Sequence, residues 1–273
     1  MLASIALVFL NSVFRKLITN SRKILSSQLE ISIGYDDILI DANLKSMNNW
    51  AMNSILIPAS GSAQRMRGLP KFLLPSGKMD LSLIELHVSN VSDYADEILI
   101  GLNPIFLDIV LNAKLNLHNA RVIPLETKSM TETVLKLIPY SSGTRFTIIM
   151  PDTVFESNQS YEFSNLVSDL DLSLWKIRSD QYGKLGQVLV DPDGKVLDCV
   201  DKNPDCRYEF SWGAMTFNRK FLDHLDIDFP HVGYGIVPAL KANLSVNGVI
   251  LPGRYWDCGT PIEYIRYLKT MDI

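Results

Sequence analysis

The chain has 273 residues, 47% of them hydrophobic and 21% charged, with a formal net charge of −4. That length buries a sizeable core in one domain, with or without an appendage, and the acidic balance gives no basis for nucleic acid as a bulk partner. Three cysteines and four scattered histidines make neither a disulfide framework nor a zinc-spaced cluster, which points to reduced thiols and a cytoplasmic protein.

Met1 to Leu10 is apolar, and Arg15, Lys16, Arg22 and Lys23 follow it. A secretory signal carries its positive charge before the apolar run, and this run is too short to span a bilayer, so no stable membrane insertion is expected. Leu7, Leu10, Val13, Phe14 and Leu17 recur at helical spacing. That pattern fits a membrane-surface amphipathic helix or an ordinary helix packed on the body. Met52-Asn53-Ser54-Ile55 reads as a natural start, and the functional domain is expected to begin near Met47 or Met52. The expected division is an extension of unassigned structure over 1–51 and a single domain over 52–273.

The stretch from Ile55 to Pro75 organises the rest. Ile55-Leu56-Ile57 fits a short buried strand, and it breaks into Pro58-Ala59-Ser60-Gly61-Ser62-Ala63. Small residues let a backbone approach a bulky anion, and successive free N–H groups form an anion-binding nest. Arg65 and Lys71 add charge. The pattern points to phosphate at the carboxyl end of the first strand of an α/β sheet. A tight turn before a helix is the plain alternative.

Ser82–Asn90 then reads as a helix, Ile98–Ile100 as a strand, Ile105–Leu115 as a helix and Arg121–Ile123 as a strand. Thr131–Leu137 reads as a helix. Ser129 with Glu132 three residues on makes a capping box in front of it. Phe146–Met150 is a fourth strand, followed by Pro151-Asp152. Strands alternating with helices at this spacing predict an α/β fold: a mostly parallel, mixed sheet with helices on both faces. Asp152 falls just past an apolar strand, at the sheet edge where ligands bind; a turn or N-cap aspartate is the alternative. In the second half, Asp191-Pro192-Asp193-Gly194 is a strong hairpin signal. Thr260-Pro261 reads as a cap and first position of a terminal helix.

Gly61, Arg65, Met66, Pro70 and Lys71 resemble the loop of the nucleotidyltransferases that couple a nucleoside triphosphate to a sugar 1-phosphate, such as the glucose-1-phosphate thymidylyltransferase type. Ala63 stands at that loop's second glycine and Gln64 at its Thr/Ser, and Ala63 tolerates a positive φ poorly. Further segments resemble the family in order, over Ile55 to Leu268: the Ser129 turn facing the base; Asp152; Lys184-Leu185-Gly186-Gln187-Val188 followed by Val200-Asp201-Lys202-Asn203-Pro204, where Asp201 replaces the family's usual glutamate toward a hydroxyl; Ser211-Trp212-Gly213-Ala214-Met215; and Tyr255-Trp256-Asp257-Cys258-Gly259-Thr260-Pro261.

The resemblance implies a Rossmann-like fold of the nucleotide-diphospho-sugar transferases and an enzyme of nucleotide-sugar biosynthesis. Ala59, Ser60, Gly61 and Ser129 would contact the nucleotide. Arg65 would hold the departing phosphates and Lys71 the α-phosphate. Asp152 and Asp257 would hold Mg2+. Gly186, Asp201, Lys202 and Gly213 would face the sugar 1-phosphate. Cytidylyl transfer to a non-sugar phosphate, phosphocholine or a polyol phosphate, is the rival reading, with Trp175, Trp212 and Tyr208 as candidates for a choline cage. A non-catalytic nucleotide-sugar-binding protein is a third, on the departures at Ala63, Gln64 and Ser129. A homo-oligomer is left open.

Overall fold

The computed structural model describes residues 52–63, 68–78, 80–162 and 168–271. Arg65 and the segment 1–51 therefore lie outside the described residues. The chain divides into two compact units, one of Met1–Trp50 with Phe106–Leu115, the other of Ala51–Ile105 with Asn116–Ile273.

In the larger unit the chain runs β1 (Asn53–Ala59), α1 (Leu83–Val91) and β2 (Glu97–Leu102). The helix α2 (Leu107–Ala113) belongs to the smaller unit and ends at Lys114, which has a left-handed backbone. The larger unit resumes with β3 (Arg121–Pro124), α3 (Met130–Leu137), β4 (Arg145–Ile149), β5 (Thr153–Phe155) and β6 (Leu170–Lys176). It continues through β7 (Gly186–Val190), β8 (Val196–Asp201), β9 (Phe210–Asn218), α4 (Arg219–Leu222), α5 (Ile236–Lys241), β10 (Val246–Ile250), β11 (Tyr255–Asp257) and α6 (Pro261–Leu268).

Nine of these strands form one sheet, in the order β10-β6-β9-β4-β1-β2-β3, with β7 bridging β9 and β8. β1 runs parallel to β2 and β4, β2 parallel to β3, and β10 parallel to β6. β9 is the antiparallel insert, pairing β4 on one side and β6 on the other. The mixed α/β sheet expected from the pattern is what forms, but it is not mostly parallel: four of its strand pairings are parallel and four antiparallel, because β7, β8 and β9 all run against their neighbours. The central strands are apolar without alternation because both faces are covered: Leu56, Ile57, Phe146, Ile148 and Ile149 are fully buried. Where a polar side chain enters this layer it is paired, as Thr147 is with Thr216 at 2.8 Å.

Local chemistry sets the ends of several elements. Ser82 and Glu85 form a reciprocal capping box at the start of α1. Ser129 caps α3 through the Glu132 N–H, but the Glu132 carboxylate takes the Lys128 N–H at 2.7 Å, so the expected box is only half made. The Asp191–Gly194 turn closes the β7–β8 hairpin, with Gly194 at φ +86° and Asp191 Oδ1 accepting from two backbone N–H groups.

The two-stranded ribbon β5–β11 lies off the main sheet, with Thr153 opposite Asp257. A second core cluster lies against it: Leu83 and Leu86 of α1, Val154, Trp256, Cys258 and Tyr267 of α6. Each of the aliphatic side chains contributes about 1.5–3 kcal/mol by burial. His87 of α1 is fully buried behind the ribbon. Its Nε2–H donates to the Thr153 carbonyl at 3.0 Å, and its Nδ1 accepts from the Tyr161 hydroxyl at 2.9 Å. Burial pushes its pKa down to about 4 from 6.5, against the opposing Thr153 hydrogen bond and the Asp152 charge. The unfolded chain therefore binds a proton at this residue between those two pH values while the folded chain does not. The stability this neutral histidine contributes is full above pH 6.5 and is lost as pH falls toward 4, on the order of 3 kcal/mol. Urea unfolding at pH 7 and pH 4 is expected to show the wild type losing about that much more than His87→Asn; equal losses would contradict the assignment.

Candidate active site

β1 ends at Ala59, and the small-residue loop begins at Ser60. Ser60 is buried, its Oγ has no partner among the described residues, and its carbonyl accepts from Asn103 Nδ2 at 3.0 Å. Asn103 follows β2, is itself buried, and accepts the Ile105 N–H through its own oxygen. This clamp fixes where the loop leaves the sheet. A Cβ placed on Gly61 would meet no described residue within 4 Å. Ala63 has φ +55°, a left-handed backbone that costs an alanine roughly 1–2 kcal/mol. The position where the family resemblance places glycine thus keeps a glycine-like conformation in spite of the methyl group. The Gly68 N–H donates to the Ala63 carbonyl at 3.1 Å.

Pro70 is extended at φ −68°, ψ 114°, and a single 3-10 turn, Lys71–Leu73, follows it. That turn seats Phe72 in the protein and delivers Lys71 to Asp152, Nζ to Oδ2 at 3.0 Å. Both side chains are about one-fifth exposed, 18% and 24%, so the pair is screened less than a surface pair and remains reachable. Asp152 itself follows β4, and its carbonyl accepts the Cys258 N–H at 2.8 Å.

Asp257 closes β11. A Cβ built on Gly259 would lie 2.7 Å from Asp257 Oδ1 and 3.6 Å from Asp152 Oδ2, so both carboxylates reach the same glycine. The Gly259 N–H donates to Asp257 Oδ1 at 2.8 Å. Burial pushes the Asp257 carboxyl up, the charge of Asp152 adds to this, and the Gly259 N–H and Lys71 pull it back. Two carboxylates forced together call for a cation, and Lys71 supplies one to Asp152. A set of two carboxylates suits a hard divalent ion that takes its remaining oxygens from water and phosphate. Asp152 and Asp257 could therefore hold Mg2+. No cluster of three or more His, Cys, Asp or Glu side chains is set to hold a metal among the described residues.

Ser129 lies in front of α3, its hydroxyl committed to the Glu132 N–H at 3.0 Å. On the opposite half, Gly186 of β7 pairs with Asp201 of β8, and the Lys202 N–H donates to the Leu185 carbonyl at 3.2 Å. Lys202 is exposed and left-handed at φ +48°. Leu185 borders the same depression as Trp256 and Asp257, whereas Asp201 lines a separate cleft, so the structure does not bring the Asp201–Lys202 corner into one site with the carboxylates. The space a Cβ would take on Gly186 is filled by the Trp212 indole, and on Gly213 by Tyr255 and Trp175. These glycines admit aromatic rings at close range. Trp175 is fully buried and stacked on Phe155, and Tyr208 is bonded to Asp198 at 2.7 Å. Trp212 instead lines a cleft of about 330 Å³ with Asp201, His231, Gly233 and Tyr234. Asn103, His87 and His231 carry no sequence motif. Asn103 alone had a signal, a polar residue directly after an apolar strand, as Asp152 is.

Ala63→Gly is expected to stabilise the protein by about 1 kcal/mol by releasing the left-handed alanine. Urea unfolding checks this, and a loss of stability would contradict the loop conformation.

The sequence matches no protein-family model and no curated protein. Solved structures do match. The inositol-1-phosphate CTP transferase from T. maritima is 17% identical with a TM-score of 0.64, over 81% of this chain and 96% of that one. A protein from Bacillus anthracis described as a glucose-1-phosphate thymidylyltransferase is 16% identical with a TM-score of 0.68, over 81% and 96%. A UDP-glucose pyrophosphorylase solved with UDP-glucose is 14% identical with a TM-score of 0.62, over 80% and 98%. No helix among the described residues is long and apolar enough to cross a membrane. The chain has the fold shared by these nucleotidyl-transferring proteins.

Proposed function

We propose that the chain is a nucleotidyltransferase that moves a nucleotidyl group from a nucleoside triphosphate to a sugar or polyol phosphate, a sugar 1-phosphate being the preferred acceptor. The observation that carries this reading is the Lys71–Asp152 pair at 3.0 Å, with Asp257 reaching the same glycine. The small-residue loop at the end of β1 supports it, and so does the shared fold. Fold alone does not establish chemistry, so the weight rests on the side chains.

An oxygen of the acceptor phosphate attacks the α-phosphorus in line. The bond from that phosphorus to the bridging oxygen breaks, and pyrophosphate leaves with its electron pair. No covalent enzyme intermediate is required; the protein orients the two phosphates and neutralises their charge. Lys71 would move from Asp152 onto the α-phosphate, and Ser60, Gly61 and the backbone of Ala59 would line the triphosphate. Arg65 would hold the leaving phosphates. Asp152 and Asp257 would hold Mg2+, which when bound draws charge off the phosphoryl oxygens. Ser129 at the head of α3 would face the base, and Lys202 the acceptor phosphate, with Gly186 and Gly213 shaping the wall behind it.

Purified protein with magnesium, each common nucleoside triphosphate including dTTP, and a panel of sugar 1-phosphates, inositol 1-phosphate and phosphocholine is expected to release pyrophosphate with one pairing. Asp152→Asn is expected to abolish it. Silence across the panel in a protein that binds nucleotide would overturn the enzyme in favour of a nucleotide-sugar-binding protein. Lys71→Ala is expected to lower kcat by a larger factor than it raises the nucleotide Kd, since its contact strengthens as charge develops. Equal losses would make Lys71 a binding residue only.

A further inference from the structure

The Lys71 ammonium lies 3.0 Å from Asp152 Oδ2. That oxygen is the one that reaches toward Asp257. It comes within 3.6 Å of the point where a Cβ on Gly259 would stand, and Asp257 Oδ1 comes within 2.7 Å of the same point. The Gly259 N–H donates to Asp257 Oδ1 at 2.8 Å. Each carboxylate therefore has its inward oxygen engaged by a donor of this chain. The two donors differ in kind. The Gly259 N–H is fixed in the backbone ahead of α6, whereas Lys71 is a point charge on a flexible four-carbon stem. Buried Phe72 anchors the 3-10 turn that carries Lys71, so the stem can swing without the backbone.

Other cations stand nearby but are committed elsewhere. Arg178, Lys184 and Arg266 border the depression that contains Asp257. Lys184 pairs with Glu263 at 2.9 Å, and Arg178 and Arg266 each pair with Asp180 at 3.3 Å. Among the described residues Lys71 alone is ion-paired with one of the two aspartates. An ammonium and a divalent cation cannot share Asp152 Oδ2, because like charges in contact repel. Lys71 must leave before the two carboxylates can share an ion. It gains nothing by leaving for water, but the oxygens of a triphosphate offer it another charge-assisted partner.

We infer that Lys71 is a stand-in cation that keeps divalent ions off the Asp152–Asp257 pair until a triphosphate draws it away, so that ion and nucleotide are admitted together. The inference rests on the proposed reading of the two aspartates as one divalent-ion site, and it concerns what Lys71 does before nucleotide arrives. By linkage the preference is mutual: nucleotide tightens the ion and the ion tightens nucleotide by the same factor, and that factor shrinks when Lys71 is replaced.

The test measures the binding of Mn2+ alone, without nucleotide, by loss of the free-ion resonance signal. Lys71→Met is expected to bind Mn2+ about tenfold more tightly than wild type, the scale on which a neighbouring charge biases an ionic site. Lys71→Gln, which keeps a neutral donor toward Asp152, is expected to gain likewise, and Mn2+ raises the Tm of both variants more than that of wild type. Lys184→Met removes a cation already paired with Glu263 and is expected to stay within about twofold of wild type. Asp152→Asn added to Lys71→Met abolishes the gain. Unchanged Mn2+ affinity in both Lys71 variants would overturn the inference. So would an equal gain in Lys184→Met, which would make the effect one of overall charge, or a gain that survives Asp152→Asn. The gain at Lys71 in a protein that releases no pyrophosphate with any acceptor would uphold the inference and overturn the transferase reading. Pyrophosphate release without that gain would do the reverse.

Discussion

The site depends on one pairing, the antiparallel match of β5 with β11 that sets Asp257 opposite Thr153. The pairing joins the strand that follows β4 to a segment late in the chain and brings two carboxylates onto the same glycine. Bringing like charges together is unfavourable by itself. The ribbon withstands it because α1, α6 and the ring of Trp256 bury an apolar cluster beneath it, and because Lys71 offsets the charge of Asp152 at 3.0 Å. Arg178 lies 4.0 Å from the centre of the Trp256 ring and donates to the Tyr255 carbonyl, so the ribbon is held from its outer side too. Stability and chemistry meet here: the apolar cluster keeps in place a pair of charges that would otherwise part.

The parts of this arrangement legible in the sequence are those whose signal is local. A buried strand running into small residues marks the first loop, Pro70-Lys71 marks the cation, and a carboxylate directly after an apolar strand marks Asp152. Ser129 was legible as a helix cap, because capping is written within four residues. The parallel centre of the sheet followed from alternating apolar runs. The antiparallel insertion of β9 between β4 and β6 did not, because pairing across long sequence separations leaves no mark on either strand alone. His87 and His231 were invisible for the same reason, since each matters through a partner far along the chain.

Other residues took a physical role different from the one their motif suggested. Gly186 and Gly213 make room for Trp212, Tyr255 and Trp175. Ser129 spends its hydroxyl on the Glu132 N–H. Ala63, which departs from the family's glycine, keeps the glycine's left-handed backbone at φ +55°. Where the loop leaves the sheet it is thus held by the clamp at Asn103 rather than by the residue type at its strained point.

The central claim is that Asp152 and Asp257 act as one site for a metal–nucleotide complex. The most direct measurement is a double-mutant cycle on the binding of Mn2+ with a non-hydrolysable nucleoside triphosphate, followed by loss of the free-ion resonance signal. If the two carboxylates share an ion, Asp152→Asn and Asp257→Asn each weaken binding strongly, and the double variant is little worse than either single one. Independent, additive losses, or binding unchanged by either substitution, would contradict the account.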